Sequence, residues 1–327
     1  MKIFITLDYE LFFGSKSGSV QKCIIEPTEQ LLRIVDPLQI KLGFFVDTGY
    51  LMALERQKDQ HPSLQKDYDL ICGQIRAMSQ NGHSIQLHVH PHWEDTFYNG
   101  QDWDFKTTRY KLADFTDQEV LEIVTRYNDI LGKISGSPST AYRAGGWSAQ
   151  PWEPIGIALA KNNIFLDSTV FPGGYYQSAQ QQYDFRAVAP FTTEYKFSED
   201  LAQQSDDGPF VEIPISAHRV SPVFFWRFVW IKLFGSAKHK PYGDGFAISK
   251  EGNDIFRLLT RFSNSVVSMD GFKASYLGQA FAKYKKHCDD DANFVIIGHP
   301  KAFTPYSIQK LKQFIDKTHK QHEYKAM

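Results

Sequence analysis

Four histidines lie within eleven consecutive positions, HSIQLHVHPHW at residues 83–93, in a chain with eleven histidines in all. If this segment is an extended strand, His88 and His90 share one face about 6.6 Å apart and could bind one cation together. On a strand His88 and His92 would lie about 13 Å apart, too far to share a cation unless the chain turns between them. Pro91 favours such a turn, so both pairs are candidate metal ligands.

Two carboxylates near the N-terminus have the same spacing. Asp8 and Glu10 follow the apolar run KIFITL and share a face if the run is a strand. One carboxylate joined to two imidazoles is a known ligand set for catalytic zinc, and the other carboxylate could take a proton from water. The pattern therefore predicts a hydrolytic metal centre, with one histidine of the cluster left to contact a ligand or the substrate.

An alternation of short β-branched or aromatic runs with segments of helical period predicts βα units around a parallel sheet or barrel. The predicted strands are residues 2–7, 42–47, 84–89, 140–144, 164–168, 210–216 and 293–298. The predicted helices are residues 27–41, 66–80, 117–134, 152–162, 249–264, 271–287 and 304–320, with Thr116 and Ser249 as N-terminal caps. No linker or repeat divides the chain, so residues 1–327 are predicted to form one domain.

Ionisable residues follow several of these strands. In parallel βα architectures the carboxyl ends of the strands meet at one rim, where ligands bind. The presence of several ionisable residues at this one rim predicts a catalytic site. The residues at strand ends are Asp8, Glu10, His88, His90, His92, Arg143, Asp167 and His299.

Charge and composition disfavour several classes of protein. With 36 Lys and Arg against 37 Asp and Glu, and no basic stripe, nucleic-acid binding is not expected. The three cysteines are widely separated, which predicts neither a disulfide framework nor a thiolate metal site. The first apolar run is too short for a signal-peptide core, so we expect a cytoplasmic protein.

Three segments interrupt the regular pattern. Residues 93–116 and 171–209 are long and irregular, and we expect them to form walls of a substrate groove. Residues 221–240, SPVFFWRFVWIKLFGSAKHK, are aromatic and basic but too short and too charged to span a bilayer. They could form a buried helix whose cations reach solvent, or an interfacial segment at the inner membrane face that contacts lipid or a lipid-linked substrate.

Six segments, in order, resemble the motifs of the polysaccharide deacetylase family, the NodB-like carbohydrate esterases: TLDYELFFG, GFFVDTGYL, GHSIQLHVHPHW, YRAGGW, LDSTVFPGG and VIIGHPK. The resemblance covers residues 2–315 and implies a distorted seven-stranded (β/α) barrel with a divalent metal, zinc above others. The implied reaction is hydrolysis of N-acetyl or O-acetyl groups on a sugar. The substrate would be a polysaccharide, an oligosaccharide or a lipid-linked glycan precursor.

The resemblance also implies a metal ligand set. His88 and His92 match the family's histidine pair separated by three residues, and His90 between them would contact the substrate. Glu10 would replace the second aspartate of the family's TFDDG motif, although Tyr9 holds that position in strict register. The first motif is therefore atypical.

Catalytic roles follow from the same resemblance. Asp8 matches the general base and Arg143 the arginine that orients it, although AGGW follows where the family has x-Pro-Tyr. His299 matches the histidine that protonates the leaving amine, and Asp167 matches the aspartate that holds its tautomer. Three aromatic residues would border the substrate groove, namely Trp93, Trp147 and Tyr175.

Two other functions fit the same residues. The barrel could hydrolyse non-sugar or cyclic amides, which activity on small amides without sugars would reveal. Alternatively, Tyr9 and the 15% aromatic content fit a catalytically silent glycan-binding protein that holds no zinc. For the deacetylase, a cytoplasmic location favours a nucleotide-linked or lipid-linked precursor as substrate.

Overall fold

The computed structural model describes residues 1–247 and 252–327, without the side chains of residues 252–254. The strands are β1 (Lys2–Tyr9), β2 (Gly43–Asp47), β3 (Ser84–Val89), β4 (Phe97–Tyr98), β5 (Trp103–Asp104), β6 (Ala141–Ala144), β7 (Leu166–Asp167), β8 (Tyr175–Gln177), β9 (Gln182–Asp184), β10 (Tyr195–Phe197), β11 (Phe210–Glu212), β12 (Ala217–Val220), β13 (Ser263–Val266), β14 (Asn293–Gly298) and β15 (Glu323–Lys325). The helices are α1 (Glu26–Val35), α2 (Thr48–Gln57), α3 (Pro62–Gln80), α4 (Asp117–Ser135), α5 (Glu153–Lys161), α6 (Pro222–Phe234), α7 (Gly252–Thr260), α8 (Leu277–His287) and α9 (Pro305–Thr318).

The predicted strands all overlap observed ones, and they form the central sheet. Its order is β10-β11-β7-β6-β3-β2-β1-β14, with β15 paired to β1. All neighbours from β11 to β14 along this order run parallel, while β10 is antiparallel to β11. The parallel arrangement brings the carboxyl ends of these strands to one rim of the sheet.

The two edges of the parallel sheet approach each other through the chain between β11 and β14. The Ser216 amide donates to the Val295 carbonyl at 3.1 Å, and the Val267 amide donates to the Ser216 carbonyl at 2.7 Å. The Ile297 amide donates in turn to the Val267 carbonyl at 3.0 Å. These bonds curl the sheet into an incompletely closed barrel, in line with the distorted (β/α) barrel that the family resemblance implies.

Helices cover the outer face of the sheet, because both faces of its central strands are apolar. Every residue of β2 and β14 is buried. Helix α2 falls outside the predicted helices, whereas α6 lies within residues 221–240, for which a buried helix was one of the two alternatives, and only Phe224 of α6 is buried. The predicted helix 249–264 includes α7. Its predicted start and cap, Ser249, lie outside the described residues. Within the part of the chain that is described, no helix is both long and apolar enough to cross a membrane.

Helix α4 begins with a capping box, as the sequence predicts at Thr116. The Glu119 amide donates to the Thr116 hydroxyl at 3.3 Å, and the Thr116 amide donates to the Glu119 carboxylate at 2.8 Å. The cap starts a helix that buries Val120, Val124 and Leu131.

Replacing Thr116 with alanine is expected to lower the free energy of unfolding by about 1 kcal/mol, because the first-turn amides lose a partner. Urea denaturation followed by circular dichroism measures the change. The matched control is Thr108→Ala, an exposed threonine outside any helix, which should leave the transition midpoint unchanged. Equal stability of the two variants would contradict the contribution assigned to the cap.

Candidate active site

The residues of β1 and the position just after it alternate between two faces, and this alternation selects Glu10 over Tyr9. Asp8 and Glu10 are buried on the inner face of the sheet, as their spacing predicts. Tyr9 points the other way, and its hydroxyl donates to Gln74 on α3 at 2.8 Å. Although Tyr9 departs from the family's first motif, the inner face of the sheet therefore still carries two carboxylates.

Three donor atoms converge at the end of β1 and β3. Glu10 Oε2 lies 2.7 Å from His90 Nε2 and 3.4 Å from His88 Nε2. The ligand atoms of Glu10, His88 and His90 all lie within 4.8 Å of one another, and all three residues are buried. His90 reaches this group because its backbone stays extended (φ −109°, ψ 94°), so it shares a face with His88.

The chemistry of this group fits a divalent cation such as zinc. The Arg143 carbonyl lies 2.8 Å from His88 Nδ1 and accepts its proton, so Nε2, which faces Glu10, is the nitrogen that a cation would bind. No described donor is aligned for a hydrogen bond to Glu10 Oε2, although the atom is buried. Ligands of a tetrahedral zinc ion lie about 3.4 Å apart, and Glu10 Oε2 and His88 Nε2 have this separation.

His92, the ligand implied by the family resemblance, lies outside this group. Pro91 begins a 3-10 turn that runs to Asp95, and His92 lies within this turn. The ring stacks on Tyr110 at 5.3 Å and on Trp93 at 5.5 Å between centroids. Neither ring nitrogen has a hydrogen-bond partner among the described residues, and burial and then His90 hold the pKa of His92 well below its usual value. Of the two pairs open from spacing, the structure brings together His88 and His90.

Close packing at Gly145 gives a physical reason why AGGW follows Arg143 where the family has x-Pro-Tyr. A Cβ atom at this position would lie 2.6 Å from His90 Nδ1 and 2.5 Å from the Val89 carbonyl oxygen. Only glycine therefore lets the turn after β6 pass so close to the His90 ring.

Lys301 is a cation at this site that the sequence analysis did not single out. Its Nζ lies 2.9 Å from Glu10 Oε1 and also donates to the Leu11 carbonyl. Burial alone would raise the pKa of Glu10, but Lys301 and then His90 and His88 outweigh it and hold the pKa well below the usual value. Glu10 is therefore anionic. The available signal was the position of Lys301 in VIIGHPK, two residues after His299.

Asp8 is held by Arg143, the arginine that the family resemblance implied would orient it. Arg143 is 1% exposed, and its Nη1 lies 2.6 Å from Asp8 Oδ1. Its Nε donates to the Ser168 carbonyl at 2.7 Å, which fixes the guanidinium across the barrel interior. The second Asp8 oxygen lies 3.9 Å from His88 Nε2 and 3.5 Å from His299 Nε2. One oxygen is thus anchored while the other faces the candidate metal centre.

His299 is held by Asp270, whereas the resemblance implied Asp167. The Asp270 carboxylate lies 2.8 Å from His299 Nδ1 and accepts the His299 amide at 2.8 Å. Burial alone would lower the pKa of His299, but Asp270 and then Asp8 and Glu10 outweigh it, and the pKa is raised. Residues 267–269 run beside β14, so the residues that end the two segments lie side by side. The apolar run before Asp270, NSVVSMD, was the missed signal.

Asp167 instead forms a buried carboxyl pair with Glu212. It accepts from the Thr169 hydroxyl at 2.6 Å, and the parallel register places Glu212 directly beside it on β11. Burial raises the pKa of Asp167 to about 6 and, with the neighbouring Asp167 charge, raises that of Glu212 well above its usual value. The pair therefore binds a proton in the folded state at a pH where an unfolded chain would release it.

Glu212→Gln is expected to make the free energy of unfolding less dependent on pH. Because the folded pKa values are raised, the wild type should lose stability as the pH rises from about 4 through 6 and beyond. At pH 8 the variant should be more stable by on the order of 1–3 kcal/mol.

Urea denaturation between pH 5 and pH 8 measures this difference. Glu199→Gln, at an exposed glutamate, is the control and should follow the wild type at every pH. Parallel stability curves for wild type and Glu212→Gln would contradict the shared proton.

The aromatic residues expected at the groove differ in exposure. Trp93 is 0% exposed, and its Nε1 donates to Asp47 Oδ2 at 2.7 Å, so it packs beneath the histidines. Trp147 is half-buried with φ 60° and packs against Phe171 at 5.5 Å. Tyr175, on the β8–β9 hairpin, is 38% exposed beneath the Arg186 guanidinium. The last two retain surface that a substrate could contact.

Asp47 is a further buried acid that the sequence analysis did not assign. It ends β2 at the same rim, and burial raises its pKa to about 6. Its place at the end of the strand GFFVD was the available signal.

One solved structure in particular shares this fold. A protein from Mycobacterium smegmatis assigned as a polysaccharide deacetylase matches with a TM-score of 0.51 and 16% identity, over 100% of this chain and 87% of that chain. The Puue allantoinase (TM-score 0.47, 13% identity, 99% and 87% coverage) and a polysaccharide deacetylase from Bacillus cereus (0.41, 11%, 100% and 91%) also match. No family model and no curated protein sequence matches the chain. The fold resemblance predicted from the motifs is confirmed.

Proposed function

We propose that the protein is a metal-dependent hydrolase that removes N-acetyl groups from a sugar in a polysaccharide, an oligosaccharide or a lipid-linked glycan precursor. One observation carries the proposal: the donor atoms of Glu10, His88 and His90 converge beside two ionisable groups, Asp8 and His299. Asp8 is held by Arg143 and His299 by Asp270, each through the atom that faces away from the site. That arrangement supplies a cation site, a base and an acid within one pocket.

Glu10, His88 and His90 would hold the divalent cation. When bound there, the cation supplies a Lewis acid that favours ionisation of water and polarises the acetyl carbonyl. Asp8 then accepts a proton from the attacking water through Oδ2, because Arg143 occupies Oδ1. Arg143 also keeps this carboxylate in a single orientation.

His299 completes the reaction as the proton donor. Its Nδ1 is tied to Asp270, so its Nε2 faces the site, 3.5 Å from Asp8 Oδ2. Water adds to the carbonyl carbon, the C–N bond breaks, and Nε2 donates a proton to the departing nitrogen. The products are acetate and a free amine. The raised pKa of His299 favours the protonated form that this step requires.

Zinc binding distinguishes the two histidine pairs. His90→Ala should weaken zinc binding by more than about tenfold, because one of three protein ligands is lost. His92→Ala, the matched control two residues away, should bind zinc with wild-type affinity. Isothermal titration calorimetry of the metal-free protein gives both affinities, and loss of binding in His92→Ala alone would overturn the ligand set.

Acetate release tests the catalytic assignments. With N-acetylglucosamine oligomers as substrate, His299→Ala should lower kcat on the order of 100- to 10,000-fold. Asp270→Asn should lower it on the order of 10- to 100-fold, because His299 loses the group that orients it. Asp167→Asn, at a carboxyl group that contacts Thr169 instead, should retain most of the wild-type kcat.

Three outcomes would contradict the proposal. If no N-acetylglucosamine glycan releases acetate, N-acetylated sugars are excluded as the substrate class. Hydrolysis of cyclic amides without sugars would assign the site to a different amidase. Glycan that binds but stays intact, on a protein that takes up no zinc, would indicate a binding protein.

A further inference from the structure

The helices α6 and α7 carry an apolar surface that the rest of the described chain leaves uncovered. Of the thirteen residues of α6, only Phe224 is buried. The exposed fractions of Trp226, Trp230, Leu233 and Phe234 are 57%, 66%, 68% and 68%. A helix that is apolar all round is normally enclosed by protein or lipid, so this surface requires a partner. We call α6, residues 235–247 and α7 the aromatic hairpin.

The second helix continues this surface. On α7, Phe256 is 70% exposed and Ile255 is 46% exposed, and the following Phe262 is 59% exposed. The Trp226 indole nitrogen donates to the Leu259 carbonyl at 3.0 Å, which joins the two helices. The described apolar residues of both helices thus belong to one patch.

The charge of the aromatic hairpin is positive throughout its first half. From Ile213 to Gly243 the sequence contains no aspartate or glutamate. The same stretch contains five cationic residues, which are Arg219, Arg227, Lys232, Lys238 and Lys240. No described residue forms an ion pair with Arg227 or Lys232, and both are exposed. An apolar surface among unpaired cations is complementary to an anionic lipid bilayer.

A second copy of this chain suits the surface less well. A twofold contact between two such hairpins would bring the same cations of both copies together. Like charges brought together in an interface oppose binding, whereas phosphate headgroups would attract them.

The aromatic hairpin adjoins the barrel rim that carries the candidate active site. The Phe246 amide donates to the Lys16 carbonyl, and the Gly14 amide donates to the Phe246 carbonyl at 2.9 Å. Gly14 lies four residues after Glu10. Nearby, the Tyr242 amide donates to the carbonyl of Phe303, four residues after His299. A membrane bound by the hairpin would therefore lie close to the catalytic residues.

We propose that the aromatic hairpin docks the protein on an anionic membrane surface, with Trp230, Leu233 and Phe234 inserted among the lipids and Arg227 and Lys232 at the headgroups. The hairpin lies in the interface and does not span the bilayer. Docking depends on none of the residues assigned to catalysis, so it can be tested apart from the proposed hydrolysis.

Vesicle cosedimentation of the full-length protein tests the proposal. Vesicles of phosphatidylcholine mixed with phosphatidylglycerol should bind the wild type, and phosphatidylcholine alone should bind it far more weakly. Trp230→Ser with Phe234→Ser should reduce the partition coefficient by at least about tenfold per residue. Arg227→Gln with Lys232→Gln should reduce binding to the mixed vesicles by about fivefold per residue and lower its sensitivity to salt.

The control replaces an exposed aromatic residue elsewhere. Phe97→Ser removes a side chain that is 56% exposed on β4, and this variant should bind vesicles like the wild type. Failure of the wild type to bind the mixed vesicles, or unchanged binding of the Trp230 and Phe234 variant, would overturn the proposal. So would a dimer in analytical ultracentrifugation that dissociates in that variant, because the surface would then belong to a second copy.

Discussion

A buried carboxylate, Glu10, is the constraint on which the site depends. Such a group is costly in the protein interior unless each oxygen has a partner of opposite charge or a hydrogen-bond donor. Lys301 occupies one oxygen, whereas the other faces His88 and His90 without an aligned donor, as a ligand of a cation would. These three residues come from β3, from the position just after it and from the turn after β14, so the packing of β3 and β14 on the two sides of β1 is what places them around Glu10.

Each proposed catalytic group is anchored through one atom and free at another. Arg143 holds one oxygen of Asp8, and Asp270 holds Nδ1 of His299, so the remaining atoms of both groups face the same space. Such fixed orientation is what a preorganised site requires, because no rearrangement is then needed during the reaction. The proposed roles are therefore divided between atoms of the same side chain. The atom that faces the site would transfer the proton, and the atom that faces away fixes the orientation of the side chain.

The chain between β11 and β14 contributes to the barrel, to the candidate active site and to the exposed apolar surface. Its hydrogen bonds through Ser216 and Val267 join the two edges of the sheet, and its last residues place Asp270 beside His299. The aromatic hairpin projects from the middle of the same stretch. Closure of the barrel, support of the proposed acid and the surface that we assign to membrane docking are therefore linked in one segment.

The sequence alone determined the seven strands from β11 to β14 of the central sheet, their parallel arrangement and the rim at which the ionisable residues gather, because these depend on local periodicity and on strand ends. Spacing also showed that Asp8 and Glu10 share a face, since alternation along a strand is a local property. It left two histidine pairs open, and the family motif favoured His92. Only the tertiary structure showed that His90 lies beside Glu10 and His88, because how far β3 stays extended before Pro91 depends on the neighbouring strand and on the close approach of Gly145.

The partner of His299 required the tertiary structure for a similar reason. Asp167 and Asp270 both end apolar runs, and nothing local distinguishes them. Which one meets His299 depends on whether its segment runs beside β14. Likewise, composition showed that residues 221–240 are aromatic and basic, but only packing decided that α6 stays exposed. Local pattern determines which residues can share a face, whereas contacts between residues distant in sequence determine which of them meet.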